Sequence, residues 1–257
     1  MALGMDEWSM SQLGSLRWAE ARRRVRARAA GETIADSMSA RLVWEPHRVV
    51  PSYAVPIAHF QVPLTDPRAI SPVAPPRPWL DPDDAFAMHT TPGTAWTLLT
   101  AGGPLVDAAF TLDDPDLADF AIIDWAAMAE WIEEQQVVVA HPHDPFQRID
   151  CLRSDRHVVV SVGDVVLADS RHPILLLETH LPPRWYLPPD DVRLERLEPS
   201  PTSTVCAYKG QASYFSARVH GTVIQDAAWT YRHPLHDGGP VREMICFYDD
   251  RVSVRVG

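Results

Sequence analysis

The 257-residue chain contains no asparagine and a single lysine, Lys209; of its 23 basic side chains the other 22 are arginine. Asn and Lys codons share their first two letters, so a GC-rich coding bias depletes both, and the scarcity by itself assigns no role. Cysteine is also sparse. Cys151, Cys206 and Cys246 are odd in number and scattered, which excludes a disulfide framework and reads as reduced thiols. No apolar run reaches the ~20 residues of a spanning helix. The first residues, MALGMDEWSMSQLGSLRW, carry an early acidic pair and no long apolar core, so they are not read as a secretory signal. Positive charge is outnumbered, with a net charge of −11, and that excludes a surface built to neutralise nucleic-acid phosphates. The short run Arg22-Arg23-Arg24 reads as a solvated edge. Neither GxxxxGK[ST] nor GxGxxG occurs, so no motif calls for a nucleotide cradle or a cofactor. The expectation is a cytoplasmic protein that engages neither membrane nor nucleic acid.

What is present is an internal repeat. At an offset of 133, Arg24–Pro56 falls ungapped on His157–Pro189, matching Val25, Ala35, Asp36, Ser37, Leu42, Glu45, His47, Tyr53 and Pro56 with Val158, Ala168, Asp169, Ser170, Leu175, Glu178, His180, Tyr186 and Pro189. At an offset of 119, 107-DAAFT-111 falls on 226-DAAWT-230 and Pro115 on Pro234. Units this long are tandem domains and not solenoid repeats. We read a leader over 1–23, a degenerate first domain over 24–140 and a second over 141–257.

The second copy reads as β structure. His157–Val162 alternates, Gly163-Asp164 makes a two-residue turn and Val165–Ala168 returns. Ile174–Leu177 is an apolar strand ending on Glu178. The proline-rich 181-LPPRWYLPPDDV-192 is expected to stay out of the sheet's centre, because proline lacks the ladder donor. Ala212–Val219 and Thr222–Trp229 flank a His220-Gly221 turn, and Met244–Tyr248 and Arg251–Val256 close the chain. One short helix is expected at Asp124–Glu134, near the domain junction, with Asp124 as N-cap. Val62–Gly93 holds eight prolines and reads as an inserted extended loop.

The series 168-ADS-170, 178-ETHLPPRWYLPPDDV-192, 206-CAYKGQASY-214, 226-DAAWTYRHP-234 and 247-FYDDRV-252 resembles the bacterial domain-of-unknown-function 427 family, also catalogued under a nucleotidyltransferase name. The first copy looks like a second, decayed member through 35-ADS-37, 44-WEPHRVVPSYAVP-56 and 107-DAAF-110. The resemblance implies compact, mostly β domains with a small cavity between coiled sheets. This chain departs from the family pattern at Ala207, where proline is usual. In the first copy 89-HTTPGTAW-96 stands where Cys206, Tyr208 and Lys209 stand in the second.

The candidate site therefore lies in the second copy. Lys209, Glu178 and Cys206 are the candidate catalytic groups; Arg184, Tyr186, Tyr208, Tyr214, Trp229 and Asp226 are the candidate substrate-binding groups. Lys209 in a partly apolar pocket reads as a base or imine former, and alternatively as an ammonium paired with Glu178 or Asp226. Cys206 is a thiolate stabilised by that ammonium or a small buried hydrophobe. Arg184 is a carboxylate clamp or the internal partner of Glu178. Asp169 and Ser170 recur as Asp36 and Ser37, which favours turn chemistry over a Ser–His–Asp triad with His157 or His180. His141-Pro-His143-Asp144 has metal-ligand residue types but reads as linker. The leading expectation is an enzyme using general acid–base chemistry on a small carbonyl-bearing or acidic substrate, of the kind found in bacterial secondary metabolism. The alternative is a non-catalytic small-molecule-binding or interaction module, with nucleotidyl transfer behind it. The first copy would serve as scaffold, lid or homodimer surface.

Overall fold

The computed structural model describes residues 2–257, and the fold is mainly β. The chain divides into two compact units, Met1–Asp144 and Pro145–Gly257. No helix among the described residues is long and apolar enough to cross a membrane. In the first unit a short helix α1 (Met5–Ser11) precedes β1 (Arg17–Glu20), β2 (Val25–Ala29), β3 (Glu32–Ser37), β4 (Arg41–Trp44), β5 (Ser52–Pro56), β6 (Leu64–Ile70), β7 (Gly93–Thr100), β8 (Gly103–Leu112), β9 (Phe120–Ile123), β10 (Glu130–Glu133) and β11 (Gln136–Val138). The second contains β12 (Ile149–Arg153), β13 (Val158–Val162), β14 (Val165–Ser170), β15 (Ile174–Glu178), β16 (Arg184–Leu187), β17 (Leu197–Cys206), β18 (Gly210–Val219), β19 (Thr222–Thr230), β20 (Ile245–Phe247) and β21 (Ser253–Val256).

The two units share one strand order. A seven-stranded sheet runs β1-β4-β5-β9-β8-β7-β6 in the first and β12-β15-β16-β20-β19-β18-β17 in the second. A smaller sheet runs β11-β10-β2-β3 in the first and β14-β13-β21 in the second. Renumbering one series onto the other reproduces both sheets, with β11 as the addition. Each large sheet buries both faces of its central strands. In the second unit one face packs on the small sheet through Val158, Val160, Leu167, Leu187, Ala217, Ala228 and Phe247. The other face gathers Leu176, Tyr186, Tyr214, Trp229, Tyr231 and Cys246. Alternation along the strands produces this split: Trp185 and Tyr186, adjacent on β16, go to opposite faces.

Local chemistry fixes the turns. His220 (φ 48°) and Gly221 (φ 82°) both sit in the left-handed region between β18 and β19, as a two-residue hairpin matched to strand twist requires. His47 and His180 (φ 69° and 62°) and Asp107 and Asp226 (φ 53° and 50°) also have positive φ. His and Asp are among the side chains that tolerate it best. Those matched residues of the two units are thus accounted for by backbone conformation.

Four expectations are corrected. Asp124–Glu134 is not a helix: Asp124 Oδ1 accepts the Ala126 N–H at 3.0 Å, the chemistry of an N-cap, but the next residues form only a turn. Val25–Arg28 then captures Glu130–Glu133 as a ladder, so tertiary pairing overrides the helical spacing. The segment 181–192 does supply a central strand: β16 pairs with β15 and β20, and it is possible because the prolines flank its four residues and none lies within it. Val62–Gly93 is not all loop, since Leu64–Ile70 forms edge strand β6 with Pro67 inside an irregular register. Finally, the stretch ahead of Arg24 is not only a leader, because β1 pairs with β4.

Register also corrects the repeat itself. Ile174 pairs with Tyr186 in the second unit, whereas Arg41, its counterpart, pairs with Ala54 in the first. Tyr186 therefore corresponds to Ala54, and Tyr53 to Trp185; the ungapped offset slips by one residue in the loop before β5.

Gly93 opens β7, and a β-carbon there would be driven into the Thr111 carbonyl oxygen and the Phe110 ring. Gly93→Ala is expected to destabilise the first unit by about 3 kcal/mol or more, read as a lowered urea midpoint by tryptophan fluorescence. A wild-type midpoint would refute this packing.

Candidate functional site

Lys209 lies between β17 and β18, and Glu178 ends β15. In the sheet order β15-β16-β20-β19-β18, four steps separate their strands. A flat sheet would place them about 19 Å apart, beyond the roughly 10 Å that the two side chains span together at ordinary bond lengths. Yet the Lys209 ammonium is hydrogen-bonded to Glu178 Oε2. The sheet must curl to allow this, and the pair fastens the curl. Both side chains are shielded, 8% and 10% exposed.

Around the pair stand aromatic rings with polar tips. Trp229 Nε1 donates to the Tyr186 hydroxyl at 3.0 Å, and the rings meet edge to face at 6.1 Å. The Tyr214 hydroxyl lies 2.9 Å from Thr204 Oγ1 and 3.4 Å from the Tyr248 hydroxyl. Tyr248 packs on Trp229 with centroids 4.4 Å apart. Tyr208 is buried. Tyr231, 5% exposed, has a hydroxyl for which the described residues provide no hydrogen bond. Burial, with Cys206, Glu178 and Tyr214 nearby, pushes Tyr231 well above the usual phenol range. It is therefore a protonated donor.

The thiols do not form an activated set. Burial raises Cys151, and although the Lys209 ammonium opposes that rise, Asp150, Asp237 and Glu178 reinforce it. Cys246 is fully enclosed and is likewise pushed up by burial. Cys206 ends edge strand β17, opposite Gly210, and the ammonium expected to stabilise its thiolate is taken by Glu178.

Other candidates lie elsewhere. Arg184 is not the partner of Glu178; its Nη1 donates to Asp249 Oδ1 at 2.7 Å, and its guanidinium sits 5.7 Å from both the Trp229 and Tyr248 centroids. With Asp249 it forms the rim of a cleft of about 20 Å³, room for one water, floored by Val158, Val160, Trp185, Phe247 and Val254. Asp226 does not join the cluster: it sits beside the β18–β19 register shift and accepts from Thr202 Oγ1 at 2.8 Å. Asp169 bonds His157 Nε2 at 2.6 Å while Ser170 donates to Asp191 Oδ2 at 2.6 Å, so the serine and the histidine have separate partners.

Sequence reasoning missed Tyr231, Cys151 and Tyr248. Tyr231 was recoverable, since it lies two residues past Trp229 and hence on the same sheet face. Missed too was the first unit's version of the fastening. Glu45, 2% exposed, accepts from Thr90 N at 3.0 Å and Thr91 Oγ1 at 3.1 Å, and lies 3.1 Å from His89 Nδ1. At the offset of 119 His89 stands where the second unit has Tyr208, and it stacks on Phe110, centroids 3.6 Å apart, where the second unit has Trp229. Arg48 donates to the carbonyls of Ala85 and Met88, each at 3.0 Å, tying down the proline-rich segment.

A second buried carboxylate in the first unit, Glu133, receives bonds from Arg23 Nη1 (2.7 Å), His143 Nδ1 (3.0 Å) and the Tyr53 hydroxyl. Burial would raise it, but the bonds from His143, Tyr53 and Arg23 outweigh that and hold it at about 2. A depressed carboxyl stabilises the fold above its ordinary titration range and loses that contribution as pH falls through its folded value. Glu133→Gln is expected to cost about 2 kcal/mol at pH 7. The gap from wild type should close between pH ~4.5 and ~2 in urea titrations followed by tryptophan fluorescence. A gap that does not vary with pH would refute the assignment.

No curated protein matches the chain. Residues 150–256 match the model of a family described as "Domain of unknown function (DUF427)", a stretch that takes in the whole Lys209 cluster and nearly all of the second unit. That second unit is thereby a member of the DUF427 family.

Proposed function

We propose that the second unit is a non-catalytic small-molecule-binding module whose lone lysine is an architectural ion-pair partner. The supporting observation is the Lys209–Glu178 pair, shielded from water and bridging strands four steps apart. A base or imine-forming amine must be able to lose its proton and reach a substrate. Here the Glu178 carboxylate is hydrogen-bonded to the ammonium and occupies it. Acid–base catalysis through Lys209 would need that carboxylate displaced, at the cost of the curl it fastens. Nucleotidyl transfer gains no support from the cluster, where the single ammonium is already neutralised. The first unit, with the same strand order and a Glu45-centred fastening, reads as a duplicated scaffold that has lost the aromatic-polar lining.

Removing one partner of a buried pair leaves the other charged and uncompensated. Lys209→Met is expected to cost about 3–5 kcal/mol. Lys209→Met combined with Glu178→Leu should regain most of that loss, because two apolar groups can fill the space of the pair. Chemical denaturation of the three proteins decides the matter. A single variant as stable as wild type, or a double variant no better than the single, would return the lysine to the pool of free functional groups.

A further inference from the structure

The small sheets of the two units differ at one edge. In the first unit β11 covers β10; in the second, β21 stands in the place of β10 and has no strand beyond it. Register fixes the correspondence. Val25 pairs with Glu133 and its counterpart Val158 with Val256, while Ala27 pairs with Trp131 and its counterpart Val160 with Val254. The Gly257 N–H donates to the facing His157 carbonyl at 2.9 Å, so this is a hydrogen-bonded pair of the ladder. Alternation along an antiparallel ladder then turns the N–H and C=O groups of Val254 and Val256 away from β13. Among the described residues no backbone group bonds them on that side. Their counterparts Trp131 and Glu133 face Val138 and Gln136 of β11. The edge that one unit closes is open in the other.

The side chains along this edge define what would close it. In the first unit Trp131 stacks on Trp125 at 5.1 Å and lies 5.2 Å from Tyr53, and Val138 packs into the same core. In the second unit the smaller Val254 stands in the place of Trp131 and lines the cleft with Val158, Val160, Trp185 and Phe247. Val254 and Val256 point inward and are only half-buried. Arg255, between them, takes the outer face. It is exposed and makes no ion pair or hydrogen bond among the described residues. Its neighbour on β13 is Val159, so a carboxylate can meet it across the ladder only from the open side.

We propose that the open edge of β21 docks an extended segment of a partner protein whose side chains run apolar, acidic, apolar. The segment adds as a fourth strand, as β11 does in the first unit. Its two apolar side chains cover Val254, Val256 and the cleft, and its carboxylate pairs with Arg255. This goes beyond the small-molecule reading, because the small sheet packs on the face of the large sheet opposite the Lys209 cluster; either can fail without the other.

The test is an NMR titration of the full-length protein, labelled with ¹⁵N-valine, by the peptide TTVEVTT. The amide signals of Val254 and Val256 are expected to shift, and their hydrogen exchange to slow roughly tenfold at saturating peptide. The charge-reversed peptide TTVKVTT should bind roughly fivefold more weakly. Arg255→Glu, at an exposed position, should invert that preference. Val256→Pro removes an N–H that β13 does not use, a change tolerated at a sheet edge, and should weaken both peptides at least tenfold. The proposal is overturned if TTVEVTT leaves both amides unmoved, if Arg255→Glu keeps the wild-type preference, or if Val256→Pro, with its other valine signals dispersed as in wild type, binds equally well. Should Val256→Pro lose that dispersion, Arg255→Glu decides alone. Protection of the same amides that grows with protein concentration, without peptide, would put a second copy on the edge and would equally overturn it.

Discussion

Each large sheet is held in its curled form by one buried carboxylate reaching across four strand positions. Glu178 does this through the Lys209 ammonium; Glu45 does it through a backbone N–H, a threonine hydroxyl and an imidazole. Ladder hydrogen bonds impose twist but do not specify how far a sheet rolls. A polar contact between non-neighbouring strands does specify it, because its strength depends steeply on distance. The concave face created by the roll then has to be filled. The second unit fills it with Tyr186, Tyr214, Trp229 and Tyr231, the first with Ala54, Ala95, Phe110 and Leu112.

The comparison between the units separates what the architecture requires from what one unit adds. The carboxylate is common to both, so closure needs it. The Lys209 ammonium and the tyrosine hydroxyls of the concave face belong to the second unit alone. Arg48 in the first unit lies 3.9 Å from Glu45 Oε2 through its Nε and also holds the proline-rich segment by its carbonyls. A guanidinium with five donors can take several backbone acceptors at once, which an ammonium on a mobile stem does less well.

Much of the second unit was legible in the sequence because alternation and two-residue turns are local signals. Gly163-Asp164 and His220-Gly221 announce their hairpins. The errors arose where local and tertiary signals conflict. Asp124 makes the same side-chain bond whether a helix comes after it or not, and only pairing with β2 decides that Glu130–Glu133 is extended. The pairs Pro182-Pro183 and Pro188-Pro189 discouraged a central strand, although the four residues between them are free of proline. Of the candidate site, the Glu178–Lys209 contact was among the readings the residues allowed. What no spacing reveals is the curl that brings the two together, or which face Asp226 and Arg184 take. The ungapped repeat misassigned Tyr53 by one residue, since a one-place slip before a strand exchanges its two faces.

The prolines in the edge strands β6 and β17 bear on how copies of this chain meet one another. Pro67, Pro199 and Pro201 fall where the registers of these edges are irregular. An edge that lacks N–H donors and is kinked presents a poor template for a further strand. Each seven-stranded sheet therefore has one rim that resists strand addition. At the opposite rims, β1 (Arg17–Glu20) and β12 (Ile149–Arg153) contain no proline. Growth of either sheet by a foreign strand, in ordered assembly or in aggregation, is thus directed to one side only.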